Sequence, residues 1–366
     1  MISFFISLFS LSIIIILHEA GHFLLARRFG VKVEEFGIGY PPRIFSFKKN
    51  GVVYSVNAIP FGGFVKIVEH NDPDSFSSKS LSKRTLILLA GVINNALMAF
   101  LLFSILFSVG MPTFALPKTY KQDVPSMITI MEIEKDSPAF SAGLESGDII
   151  LGIEHLDNSY EVKSIEDVQN RTKEFHGQEI QLIIKRGVDP LRQSGSETRT
   201  MEIGIIPRES PPEGKGYLGV ILTDDGILKY SLLESPLQAI RFMGFITQET
   251  FTGLCRVFVN LFKHGNIEEL TGPIGIMAIT TRGFQWGWKY GLYILGLISY
   301  AFAIFNLLPI PAVDGGRILF LIIEKIRQQP IAQRTEIIVN NICFSLLIIL
   351  LFVVTIKDIN FFILNR

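Results

Sequence analysis

Apolar residues run almost unbroken through residues 2–26, with Phe4, Phe5, Ile6, Leu8, Phe9 and Leu11 followed by residues 13–17 and 23–26. As a helix, a run of this length spans a hydrocarbon core of roughly 30 Å. Three more runs read the same way, at about residues 86–109, 290–308 and 338–356. The second is interrupted only by Asn94, Asn95 and small residues. Residues 231–262 differ, because Arg241, Gln248, Glu249 and Arg256 recur through an otherwise apolar stretch. That pattern predicts an amphipathic helix at an interface or at the side of a bundle rather than a fifth span.

The polar segments between the spans alternate as strands do. Residues 38–40, 44–47 and 52–56 are short apolar runs separated by prolines and by Asn50-Gly51, a strong hairpin signal. Residues 59–67 follow, with Gly62, Gly63 and Phe64 at their centre. They predict a glycine-kinked hairpin, apolar enough to dip into a membrane against protein or a cavity. Residues 111–230 predict a compact β-rich domain. Its strands fall at 128–133, 179–185 and 201–206, with a turn into a strand at 146–153, a candidate last strand at 216–221, short helices at 137–144 and 165–175 and a polar turn at 188–199.

Composition sharpens this picture. The chain has 366 residues, of which 48% are hydrophobic and 19% charged, the balance of a membrane protein with a polar portion. Zero net charge implies no field for nucleic acid, which is not expected as a partner. Cys255 and Cys343 both lie in apolar segments and suggest neither a disulfide framework nor a zinc ribbon. Arg27, Arg28, Lys32, Arg43, Lys48, Lys49, Lys66, Lys79, Lys83 and Arg84 crowd one inter-span segment, and Arg317, Lys325, Arg327 and Arg334 the loop after the third span. Both are positive-inside signals. They predict residues 27–84 in the cytoplasm, and the N-terminus and the β-rich domain outside a cell (inner) membrane.

The chemistry sits in the first run, at His18-Glu19-Ala20-Gly21-His22. On a helix the two histidines face the same way and can share one zinc, leaving Glu19 as general base toward an activated water. At about 1.5 Å per residue, His18 lies roughly 24 Å along the helix and so inside the bilayer. Ionisable groups there are costly and mark function. A cleaved secretory signal does not fit, since the run is too long and has no small-x-small cleavage site.

The residues together resemble the site-2 protease family of intramembrane zinc metalloproteases, in particular the bacterial regulators of sigma-E type. The HExxH motif opens the first span, as in that family. Asn306-Leu307-Leu308-Pro309-Ile310-Pro311-Ala312-Val313-Asp314-Gly315-Gly316 matches the family's second motif, whose Asp is the third zinc ligand. Residues 90–95 resemble an AGPxxN signature, with Val92 in place of Pro, and residues 60–64 a membrane-dipping β-loop. Residues 137–153 look like part of a single PDZ domain in permuted order, its groove strand last at Gly216, Tyr217, Leu218, Gly219 and Val220.

The resemblance implies a multi-pass α-helical membrane protein of about four spans, with a membrane-associated β-hairpin region and an inserted extracytoplasmic PDZ-like domain. Its parts would be residues 1–110, 111–230 and 231–366. It implies cleavage within single-span transmembrane substrates such as anti-sigma factors or remnant signal peptides, with zinc as cofactor, the lipid bilayer as medium and a C-terminal peptide as candidate PDZ partner. It implies also that Asn306, beside Pro309 and Pro311 where the third span must break, catches the unwound substrate backbone; a helix-stop role is the plainer alternative. The Gly62-Gly63 hairpin could add an extended substrate by edge pairing.

Chemistry alone leaves the third ligand between two sources. Asp314 is the acid at an apolar span end beside a glycine pair, and Glu34 or Glu35 is the alternative. Asp314 could equally cap a helix starting near Gly315. Two other functions stand beside proteolysis, a membrane zinc carrier that cuts nothing and a PDZ-based membrane adaptor. A carrier has no need of Glu19, and an adaptor needs neither motif.

Overall fold

The computed structural model describes residues 2–70, 72–113, 116, 127–186, 199–264, 270–329 and 331–360. The chain divides into two compact units, Met1–Ile105 with Leu233–Arg282 and Ile294–Arg366, and Leu106–Leu232 with Gly283–Tyr293. Among the described residues, four helices are long and apolar enough to cross a membrane: Phe4–Arg28, Leu81–Val109, Trp288–Leu307 and Gln333–Ile359.

The first unit opens with α1 (Ile2–Arg28). No proline interrupts it, and it ends where Gly30 takes the left-handed conformation and Val31 N–H returns to the Ala26 carbonyl. Arg27 and Arg28 lie in its last turn, where cations meet the negative end of the helix dipole. α2 (Leu81–Val109) packs on α1 at small residues. A Cβ added at Gly21 would collide with the Ala90 carbonyl, so only glycine allows this approach.

Between these helices β1 (Val33–Lys49) and β2 (Val52–Ile67) pair antiparallel about the expected Asn50-Gly51 turn, both turn residues having positive φ. The strands are longer than the sequence pattern suggests. Gly37 pairs with both Phe64 and Ser55, so the two halves of β2 flank the start of β1. Residues 59–67 are therefore not a hairpin of their own. Backbone pairing with residues 33–40 satisfies their polar groups, which a local turn at Gly62-Gly63 would leave open. A small core of Ala26, Val31, Val33, Val52, Phe76, Ile87, Leu88 and Leu321 ties the sheet to the helices.

The second unit is built on β4 (Met127–Ile133), α3 (Pro138–Ser141), β5 (Ile149–His155), β6 (Asn158–Glu161), α4 (Ile165–Glu174), β7 (Ile180–Arg186), β8 (Arg199–Ile205) and β9 (Val220–Asp225). They follow a short β3 (Met111–Pro112), which pairs with β10 (Ile227–Leu228). The sheet runs β8-β7-β5-β4-β9, with β6 on β5, so β9 is an edge strand. Its core includes Ile128 and Ile130, and Leu182 and Ile184, at alternate positions of β4 and β7, with Ile150 and Ile153 of β5 on either side of a register shift. Ser164 and Asp167 form a capping box on α4. The anticipated last strand begins only at Val220. Gly216 to Gly219 form the loop before it, because Gly219 has φ +72° and its missing Cβ makes room for Ser137. Of the polar turn expected at 188–199, residues 188–198 lie outside the described residues, and Arg199 begins β8.

After the sheet come α5 (Ser235–His264), α6 (Pro273–Trp286), α7 (Trp288–Leu307), α8 (Asp314–Arg327) and α9 (Gln333–Ile359). α5 matches the amphipathic stretch. α6 was not anticipated, and α8 occupies most of what reads in sequence as a basic loop.

Candidate metal centre

His18 and His22 lie four residues apart on one face of α1, and the N-terminal end of α8 brings in Asp314. Asp314 Oδ2 stands 3.0 Å from His18 Nε2 and 3.2 Å from His22 Nε2, and the two nitrogens are 3.2 Å apart. Both histidines are buried. Among the described residues this is the one group of three His, Cys, Asp or Glu side chains whose ligand atoms converge. Donors about 2.0–2.1 Å from a tetrahedral zinc stand about 3.3 Å from one another. The observed triangle is that arrangement slightly contracted. Two imidazole nitrogens and one carboxylate oxygen also form the donor set of an open, catalytic type of zinc site.

Close backbone approaches set this triangle. A Cβ at Gly91 of α2 would lie 2.6 Å from His22 Nε2 and 2.8 Å from His18 Nδ1, so the histidines rest directly on the glycine. Gly315 is pressed against the carbonyls of Leu307 and Leu308, and Gly316 against that of Ile310. These contacts fold the Pro309–Pro311 loop tightly under Asp314. The cap of α8 is Val313, and no side chain caps that end, so the carboxylate of Asp314 is spent on the histidines rather than on its own helix. Glu34 and Glu35 are engaged elsewhere, with Lys66 and with Arg43.

Around the triangle, His22 Nδ1 donates to the Ile87 carbonyl at 2.8 Å, which leaves Nε2 with its lone pair toward the centre. The Phe302 ring packs edge-on against His18 at 5.1 Å. Glu19 Oε2 accepts the Val65 N–H at 3.0 Å, so β2 holds the carboxylate. Asn94 Nδ2 donates to the Leu17 carbonyl at 2.9 Å. None of Ile87, Val65 or Gly91 was singled out by residue chemistry, since each acts through its backbone. Only the Gly91 signature was visible in sequence.

The other anticipated residues are placed as follows. Gly62 N–H donates to Ser12 Oγ on α1, Gly63 pairs with Ile38, and Phe64 packs over Gly37. Asn306 is buried near the end of α7 and its Nδ2 donates to the Phe302 carbonyl at 3.0 Å. Pro309 is exposed and Pro311 half-buried. In the second unit, residues Gly216, Tyr217, Leu218, Gly219 and Val220 line a groove of about 590 Å³ whose opposite wall is α4, at Ile165, Val168, Gln169 and Thr172.

The chain is similar to known proteins over nearly its whole length. The family description Peptidase family M50 matches residues 6–350. A chain from Clostridium acetobutylicum named as a zinc metalloprotease is 31% identical over 363 residues, covering 97% of this chain and 96% of the relative. Zinc metalloprotease RasP of Geobacillus kaustophilus is 27% identical over 436 aligned positions, covering 96% of each chain. The protein of the same name from Shouchella clausii is 26% identical, covering 97% of this chain and 98% of the relative.

The Gly91 contact makes a direct expectation. Gly91→Ala should push the histidines off their positions and weaken zinc binding roughly 5- to 150-fold, from about 1–3 kcal/mol of overpacking. Gly253→Ala, where nothing lies within 4 Å of an added Cβ, should leave it unchanged. Competition with a chromophoric chelator on the purified proteins measures both.

Proposed function

The chain belongs to peptidase family M50, and on that premise we propose that it cuts the membrane-spanning segments of single-span proteins from within the bilayer. It is a membrane zinc metalloprotease of the kind to which the RasP proteins belong. The observation that carries the reading is the convergence of Asp314 on His18 and His22, beside Glu19, on a helix long and apolar enough to span a membrane.

In this reading His18, His22 and Asp314 hold the metal. Zinc bound there supplies Lewis acidity and makes a neighbouring water acidic enough to be deprotonated near neutral pH. Glu19 takes the proton as the water attacks the scissile carbonyl, then gives it to the leaving amine. The Val65 N–H keeps the carboxylate aimed while it changes charge. A substrate helix must unwind to be cut. Asn306, with Pro309 and Pro311, is suited to hold its freed backbone, and the β2 segment around Gly62, Gly63 and Phe64 to pair with it as an added strand. Ile38, Tyr40, Ile44, Phe45, Phe47, Val56 and Ile59 are all exposed on this sheet. So large an apolar surface supports contact with lipid or substrate.

The charge pattern supports a cytoplasmic position for residues 27–84 of an inner-membrane protein, with the N-terminus and the β-rich insertion outside. The domain parts are residues 1–110 and 231–366 as two halves of the membrane core and 111–230 as a PDZ-like insertion. Its edge strand β9, facing α4 across an open groove, supports capture of a C-terminal peptide by strand addition. In that position the domain acts as a sieve that admits substrates already trimmed of their outer part. Anti-sigma factors and remnant signal peptides fit this class.

The purified protein should hold about one zinc. His18→Ala, His22→Ala and Asp314→Ala should each reduce occupancy, while Glu19→Gln should keep the metal and lose cleavage. Metal lost from Glu19→Gln, or full binding by Asp314→Ala, contradicts the roles given. A carrier or an adaptor would function normally as Glu19→Gln.

For orientation, cysteines are introduced by Asn50→Cys and Asp157→Cys in a background with Cys255 and Cys343 replaced by serine. The first should react with impermeant maleimide only from the cytoplasmic side and the second only from outside. Reversed labelling refutes the topology.

Deleting residues 127–225 through a short linker tests the sieve. The truncated protein should still bind zinc and should now cut untrimmed substrates. An unchanged ratio of trimmed to untrimmed cleavage, normalised to enzyme level, reduces the domain to a stabilising scaffold.

A further inference from the structure

The two histidines of the centre are supported unequally. His22 Nδ1 has the Ile87 carbonyl. His18 Nδ1 is buried with no hydrogen-bond partner among the described residues. Asn95 of α2 is wholly buried, and both its amide oxygen and its amide nitrogen also lack a partner among the described residues. Groups left so within a low-dielectric interior are costly, and two such groups facing one junction call for a common explanation.

Three contacts place them at one junction. A Cβ at Gly91 would lie 2.8 Å from His18 Nδ1. Asn95 stands one turn further along the same face of α2, and helix side chains lean back toward the N-terminus, here toward Gly91. Side chains four residues apart are neighbours on a helix surface, so Asn95 shares the face of α2 over which the His18 ring lies. α7 touches both residues, through Ser299 Oγ donating to the Asn95 backbone carbonyl at 2.9 Å and through Phe302 packed on the His18 ring. His18 and Asn95 make no direct hydrogen bond, and a single water bridges buried polar groups that do not touch.

We propose that Asn95 is the positioning residue for His18, accepting its Nδ1–H through one ordered water and so keeping the Nε2 lone pair turned toward Asp314 and His22. This rests on the reading of His18 as a zinc ligand. It gives His18 the counterpart of what the Ile87 carbonyl gives His22. Ligating histidines nearly always donate their second ring N–H, and loss of that partner costs about 10- to 100-fold in metal affinity.

The test is zinc affinity of the purified full chain, by chelator competition, together with the melting temperature of the zinc-free protein. Asn95→Leu, similar in shape but without polar atoms, should weaken zinc binding about 10- to 100-fold while the zinc-free protein melts no lower than wild type. Asn95→Asp, which keeps an acceptor, should bind at least as tightly as wild type. Ser299→Ala, which removes a contact to the Asn95 backbone alone, should leave zinc affinity unchanged. An affinity for Asn95→Leu within about twofold of wild type, well short of the 10- to 100-fold loss expected for a lost partner, overturns the proposal. So does weakened binding by Asn95→Asp, which decides the matter alone if Asn95→Leu does not accumulate. A wild-type protein that binds no zinc overturns instead the reading on which the proposal rests.

Discussion

Polar, ionisable groups inside an apolar helix bundle are tolerable only if they find one another, and this constraint organises the first unit. A charged side chain at the centre of a bilayer costs at least about 2.5–3.5 kcal/mol. His18, His22 and Asp314 meet that demand mutually, although 296 residues separate the first from the last. Their meeting needs α1, α2 and the loop before α8 to approach more closely than side chains normally permit. Glycines at positions 21, 91, 315 and 316 remove the obstructing atoms. The glycines are therefore as much part of the centre as the donors, and packing around them is rigid enough that a methyl group matters.

The sheet of β1 and β2 is coupled to the same helix. Its edge donates the Val65 N–H to Glu19 and the Gly62 N–H to Ser12. A strand that both orients the proposed base and offers backbone for pairing would link substrate engagement to the position of the base. Ion pairs such as Arg43–Glu35 and Lys66–Glu34 also link residues of this sheet.

The second unit solves a separate folding problem. It buries its own core of alternating strand residues and enters and leaves through a short ladder, Met111–Pro112 against Ile227–Leu228. Such an insertion can fold on local contacts while the chain on either side of it folds as membrane helices. Its open edge strand would be a liability in an isolated soluble sheet, and the groove beside it gives that edge a use in the proposed sieve.

The sequence by itself determined what depends on neighbours along the chain. Four apolar runs, the His18/His22 spacing, the Asn50-Gly51 turn and the amphipathic α5 are all local patterns, and each reappears in the structure because helix and hairpin periodicity is set within a few residues. Tertiary structure decided what depends on meeting across the chain. Residues 59–67 read as a hairpin because their glycines are local, whereas their true partners, residues 33–40, lie a turn and two strand segments away. Asp314 was open between a cap and a ligand position, and Glu34 and Glu35 competed with it, until packing sent its carboxylate to the histidines and theirs to Lys66 and Arg43. Ile87 and Val65 bind through backbone atoms, which every residue carries, and so leave no chemical signature. Only the path of the chain can say which carbonyl or amide will stand beside a given side chain.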